Sequence, residues 1–125
     1  MDADQRNSSG DTGLIISARN GHSPAVEAFV EFGADVNLAD EDGVTPLMYA
    51  AKSNQLPAIL TLLKAGAIPT ARDSVGTTAL MYAVSKSDIG VVQGLIDGGS
   101  LTNARDARGL SALSYAVTDL SLIHI

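Results

Sequence analysis

Cysteine is absent from this chain of 125 residues, which removes disulfides and thiolate metal sites and fits a reducing compartment. Long apolar runs are missing too. The stretch at 58–63, among the longest, is interrupted far short of the ~20 residues that cross a bilayer. The start, Met-Asp-Ala-Asp-Gln-Arg, has neither the basic end nor the apolar core of a signal peptide. These absences lead us to expect a cytoplasmic protein, with the nucleus as the alternative. Basic residues are few: Lys and Arg number 8 against 14 Asp and Glu, for a net charge of −6. No basic run is interleaved with aromatics. That balance argues against a general affinity for nucleic acid or anionic membranes. Histidine is scarcer still, His22 and His124 alone, too little for a His-based triad or a His-rich metal site. What the chain does hold is apolar residues, 46% against 18% charged. That is too hydrophobic for a disordered protein and enough for one domain with a modest core.

The apolar residues are phased. Asp40, Asp73 and Asp106 stand 33 residues apart, and Gly43, Gly76 and Gly109 keep the same interval. So do Thr45, Thr78 and Ser111, then Leu47, Leu80 and Leu113, then Tyr49, Tyr82 and Tyr115, then Ala50, Ala83 and Ala116. Self-similarity at such a period marks a solenoid, in which each unit packs on its neighbours. Within residues 40–72, Asp42-Gly43 signals a turn, because Gly accepts a positive φ. Thr45 stands where a helix N-cap belongs and Pro46 at the first helical position, where its missing N–H is harmless. A helix of about two turns is predicted through Leu47, Ala50 and Ala51. Ser53-Asn54-Gln55 breaks it, and Leu56-Pro57 opens a second helix whose apolar face is Ile59, Leu60, Leu62 and Leu63. Gly66 should end that helix in the left-handed conformation. In the first copy, Ser23-Pro24 is expected to cap and start the second helix, which ends at Gly33. The fold class is all-α.

These motifs resemble the ankyrin repeat family. Thr45-Pro46-Leu47 with Ala50-Ala51 matches the family's first half, and Asn20-Gly21-His22 with Gly33-Ala34-Asp35-Val36-Asn37 matches its second. The resemblance spans about residues 7 to 119, as repeats 7–39, 40–72 and 73–105 and a partial fourth at 106–119. It implies stacked helix-turn-helix units joined by β-turn loops. Residues 1–6 are expected to be a flexible tail. The family's histidine after Thr-Pro-Leu is replaced by Met48, Met81 and Ser114, so its inter-loop hydrogen bonds should be lost. Pro46 is matched only by Gly13, Ala79 and Ala112, which should loosen those helix starts. The last unit stops resembling the family after Asp119. Residues 120–125, Leu-Ser-Leu-Ile-His-Ile, back-translate to CTG TCT CTT ATA CAC ATC, which resembles a transposon-end sequencing adapter. We therefore expect a non-native tail on a fragment.

Catalytic chemistry is not visible, and neither an enzyme activity nor a cofactor is expected. Glu41 and Asp42 are adjacent carboxylates in a turn, ordinarily solvated and too few to ligate a cation. Asp97-Gly98-Gly99-Ser100 lacks the spacing and Lys of a phosphate loop. Asn7-Ser8-Ser9 fits a glycosylation sequon, but no secretory signal accompanies it. By the resemblance, His22 is a structural inter-helix hydrogen bonder. Asn37 and Asn103 stand where some ankyrin proteins are hydroxylated, although turn-stabilising hydrogen bonds explain them more economically. The stripe Tyr49, Tyr82 and Tyr115 reads as inter-repeat packing with each hydroxyl at the surface; direct partner contact is the alternative.

In the family, turn tips and first helices line a concave groove that grips other proteins. Carried over by register, the groove residues are Asp11, Arg19 and Asn20 from the first unit, and Glu41, Asp42, Val44, Lys52 and Ser53 from the second. The third supplies Ser74, Val75, Thr77, Ser85 and Lys86, and the fourth Ala107, Arg108 and Leu110. Val44, Val75 and Leu110 are expected to recur as exposed apolar points inside a polar rim. The implied function is a monomeric scaffold that binds another protein, with neither nucleic acid nor membrane as partner. The alternative is a regulatory or targeting segment of an enzyme whose catalytic domain follows Asp119.

Overall fold

The computed structural model describes residues 3–98, which hold six helices: α1 (Gly13–Arg19), α2 (Ser23–Glu31), α3 (Pro46–Lys52), α4 (Leu56–Lys64), α5 (Ala79–Ser85) and α6 (Ile89–Asp97). The first helices α1, α3 and α5 pack side by side as one layer, and the second helices α2, α4 and α6 as another. Each pair is joined to its own partner across the layers. Strand structure among the described residues is confined to an isolated bridge between Arg6 and Thr12. No helix among the described residues is long and apolar enough to cross a membrane. The fourth-unit expectations, including Ala107, Arg108, Leu110, Asn103, Tyr115 and the tail at 120–125, lie outside the described residues.

Local chemistry explains the regularity. Thr12, Thr45 and Thr78 are extended N-cap residues whose hydroxyls accept the N–H of Ile15, Met48 and Met81, each bond answering one of the orphan donors at a helix start. The core runs through both layers: Leu14, Leu47 and Leu80 from the first helices, Val26, Ile59 and Leu95 from the second, all buried. Leu60, expected on the buried face of α4, is instead 51% exposed, because the buried arc narrows to Ala58, Ile59 and Leu62. The turn at Gly43 (φ +75°) needs glycine for two reasons. The left-handed backbone disfavours a side chain, and a Cβ would stand 3.2 Å from the backbone of Asp73 and Ser74 in the next turn.

Three details depart from the expectations. Ser23 lies inside α2, and the cap is His22, which makes no side-chain capping bond. His22 ties the two helices by its backbone N–H, donated to the Ser17 carbonyl at 2.9 Å. Gly13 does more than loosen α1, since a Cβ there would stand 2.3 Å from the Phe29 ring. Glycine makes room for the aromatic that replaces Leu62 and Leu95 in this unit. Residues 4 and 6, in the stretch expected to be a flexible tail, are hydrogen-bonded to the loops of the first unit. Asp4 accepts the Asp35 N–H at 2.8 Å, and Arg6 donates to the carbonyls of Gly10 (2.7 Å) and Ala39 (2.8 Å).

Units are tied to their neighbours by polar side chains as well as by packing. Asn37 donates to the Gly66 carbonyl (3.2 Å) and accepts the Ile68 N–H (2.8 Å), so its amide stabilises the loops of two units. Ser53 donates its hydroxyl to the carbonyls of Ala18 (3.0 Å) and Arg19 (2.9 Å), capping the end of α1. Asn54 reaches Asp88, the N-cap of α6, at 3.0 Å. The methionines at the family's histidine position are fully buried. Met48 takes the Thr45 N–H on its sulfur at 3.4 Å, a local replacement for part of the missing imidazole chemistry.

Two substitutions probe this framework. Ser87 holds a left-handed backbone (φ 60°) at the helix–helix turn where the first unit has Gly21. Ser87→Gly should therefore stabilise the protein by about 1 kcal/mol in urea unfolding. Leu80→Ala should destabilise it by about 2–5 kcal/mol through the cavity left in the core.

Candidate functional site

Every described unit opens its turn with the same device. Asp40 Oδ1 accepts the N–H of Asp42 (2.9 Å) and Val44 (3.0 Å), and Asp73 Oδ1 accepts those of Val75 (3.0 Å) and Thr77 (2.9 Å). In the first unit Asn7 does the same for Ser9 (2.9 Å) and Asp11 (3.0 Å). The second oxygen of each aspartate points at the first helix. There it accepts a tyrosine hydroxyl, Tyr49 on Asp40 and Tyr82 on Asp73, the latter at 2.5 Å. Thus each of these tyrosine hydroxyls is engaged by the turn of its own unit at a partly buried site. The first unit has Ile16 at the tyrosine position. It ties turn to helix differently, through the Arg19–Asp11 ion pair at 3.0 Å.

The electrostatics follow from this geometry. Burial and the hydrogen bond to Asp40 push the Tyr49 hydroxyl up to about 12, and the same two causes raise Tyr82 further. Burial alone would raise the Asp40 carboxyl, but the bonds from Tyr49, Val44 and Asp42 outweigh it and hold the group below the usual carboxylate range. Above the rings lie cations. The Arg19 guanidinium is 5.6 Å from the Tyr49 ring centre, and the Lys52 ammonium sits 5.5 Å from Tyr49 and 5.2 Å from Tyr82. These are cation–π distances. The first-helix layer thus carries alternating rings and cations, with each ring's hydroxyl bonded to a turn carboxylate.

Of the expected groove residues, Arg19, Asn20, Glu41, Asp42, Lys52, Ser74, Val75, Ser85 and Lys86 are exposed along the turns and first helices. Ser53 is half-buried and its hydroxyl is occupied by the first unit. Asp11, Val44 and Thr77 are each 93% covered, a correction with one cause. All three occupy the same register position, just before the threonine cap, where the N–H is drawn onto the Asx side chain and the residue closes into the turn. Val75 is 54% exposed, but it matches Asp42 in register and not Val44. The expected recurrence of exposed apolar points therefore fails among the described residues. The Asp–Tyr pairing was not foreseen, although both residues recur at one period with a constant offset of nine.

Two family models match these features: "Ankyrin repeats (3 copies)" over residues 1–73 and "Ankyrin repeat" over residues 75–107. The chain belongs to the ankyrin repeat family. No curated protein matches it. Ankyrin repeats are generally protein–protein interaction modules, and this ankyrin chain's stacked helix pairs, turns and caps are those of the family. Among the described residues no group of His, Cys, Asp or Glu is arranged to hold a metal ion.

Removing the Tyr49 hydroxyl tests the device. Tyr49→Phe leaves the Asp40 carboxylate without its strongest side-chain donor and should cost about 1.5–3 kcal/mol near neutral pH. The sign with pH is set by the lowered Asp40 value. Its stabilisation is present above the ordinary carboxylate value of about 3.9 and is lost as pH falls through the lower folded value. Urea unfolding should therefore show the variant's deficit shrinking in strong acid. In the parent protein, stability should also fall as pH rises from about 10, where an unfolded tyrosine ionises, towards the raised Tyr49 value.

Proposed function

We propose that this ankyrin domain binds a partner protein across the face formed by its turn tips and first helices. The carrying observation is the accessible set on that face. Glu41, Asp42, Ser74 and Val75 are exposed at the tips, and Arg19, Lys52, Ser85 and Lys86 at the helix ends. Their backbone is held by the aspartate-centred turns and by Ser53, so the surface is presented with little ordering left to do on binding. A preorganised face of mixed charge with one apolar tip suits recognition of another polypeptide. The second-helix layer carries exposed apolar residues as well, Phe32 at the end of α2 with Leu60, Ile89 and Ile96, but exposed apolar residues are ordinary on a protein surface and do not by themselves mark a binding face.

Paired variants test the reading. Lys52→Gln with Lys86→Gln alters the first-helix face, and Glu27→Gln with Lys64→Gln alters the second-helix layer. The second pair should keep its folding free energy within about 0.5 kcal/mol per substitution, and the first, which gives up the Lys52 contacts with two rings, should stay folded at a cost of about 1–2 kcal/mol. Proteins cross-linked to the parent chain and identified by mass spectrometry should be lost with the first pair and kept with the second. Retention of every one of them by the first pair, or loss with the second alone, would overturn the assignment.

A further inference from the structure

The partner's chemistry can be taken further, on the assumption that the face just described is the binding face. In a chain where acidic residues outnumber basic ones by 14 to 8, three cations line up at the ends of the first helices. Arg19 and Lys52 end α1 and α3 at the same register position. Ser85 takes that position in the third unit, and Lys86 stands beside it as the C-cap of α5. All three cations are exposed.

What lies next to them decides what they can receive. The neighbouring carboxylates are occupied: Asp40 and Asp73 each by two backbone N–H groups and a tyrosine, Asp11 by Arg19. Among the described residues, neither Lys52 nor Lys86 has a carboxylate within ion-pair distance. The Lys52 ammonium is held between two ring faces, which fix its position without using its three N–H donors. Arg19 is held by Asp11 and keeps further guanidinium donors. The face therefore shows exposed cationic donors beside carboxylates that already have hydrogen-bond partners. The complementary ligand is anionic.

Spacing refines the class. Lys52 touches the rings of two successive units, so neighbouring units repeat along this face at about the 8–10 Å of ordinary helix packing. A peptide in the polyproline-II conformation has three residues per turn and advances about 3.1 Å per residue, so every third side chain lies on one face and advances by about the same distance, whereas in a β-strand it would face the other way. We propose that the row Arg19, Lys52 and Lys86 receives an acidic peptide in this polyproline-II form whose carboxylates stand three residues apart. The acidic tip residues Glu41 and Asp42 set one edge of the path and disfavour carboxylates placed there.

Amide NMR of the full chain tests this with three synthetic probes in a Ser/Gly background. One peptide carries Asp at every third position, one Asp at every second, and one Lys at every third. The first should shift the amides at 19–20, 52–53 and 85–86 and bind more tightly than the other two. Lys52→Gln with Lys86→Gln, checked for an unchanged spectrum elsewhere, should weaken that binding about fivefold, the size of two exposed ion pairs. Equal binding of both Asp peptides would overturn the spacing. Preference for the Lys peptide at these amides would overturn the acidic class while leaving the face itself as the binding surface. Shifts confined to α2, α4 and α6 would overturn both, and no shift with any probe would overturn the acidic-peptide proposal.

Discussion

A carboxylate that begins the turns of the second and third units organises this molecule. One oxygen of Asp40 gathers two turn N–H groups and the other accepts the Tyr49 hydroxyl, and Asp73 repeats the arrangement with Tyr82. The hydrogen bonds to the charged group are the strong kind, and they span the gap between a loop and the helix that follows it. Without them the turns would be held mainly by the neighbour's packing. With them, the turn tips keep a set relation to the first-helix layer, and the cations above the rings inherit that order.

The second organising fact is the reach of the links between units. Asn37, Ser53, Asn54 and the Ser74 N–H each bridge to an adjacent unit. The first unit uses different side chains for the same purposes: Asn7 for the aspartate, Arg19–Asp11 for the tyrosine bond, and Phe29 over Gly13 for the leucine at that depth. The chain thus tolerates changes of residue provided that the bond or the volume is restored nearby.

Much of the fold was legible in the sequence because its signals are local. The threonine caps, the Pro46 helix start, the Gly66 stop and the apolar spacing each act within a few residues, and the first helices begin at those caps while α4 ends just before Gly66. The surface was less legible. Register shows that a position recurs, but not which way its side chain faces. Val44 and Thr77 recur because they close a turn, whereas Glu41 and Ser74 recur because they form its tip. The tyrosine stripe was visible as a pattern, yet its hydroxyls are taken by an aspartate nine residues earlier that the turn brings to them. That juxtaposition exists only after folding. Ser87 shows the opposite limit: nothing local in Ser-Lys-Ser-Asp announces a left-handed backbone, which the two packed helices impose.

Among the described residues, the bonds that cross between units join next-door neighbours, and this has a consequence for how such a protein can change length. Asp4 accepts an N–H thirty-one residues ahead, and Asn37 does the same one unit later. A module of one full period spliced in between would meet, at each of its borders, the same donors and acceptors that the original border offered. Duplication or deletion of whole modules would thus leave the remaining joints chemically intact, so the length of the binding face can vary while the grammar of its joints stays the same.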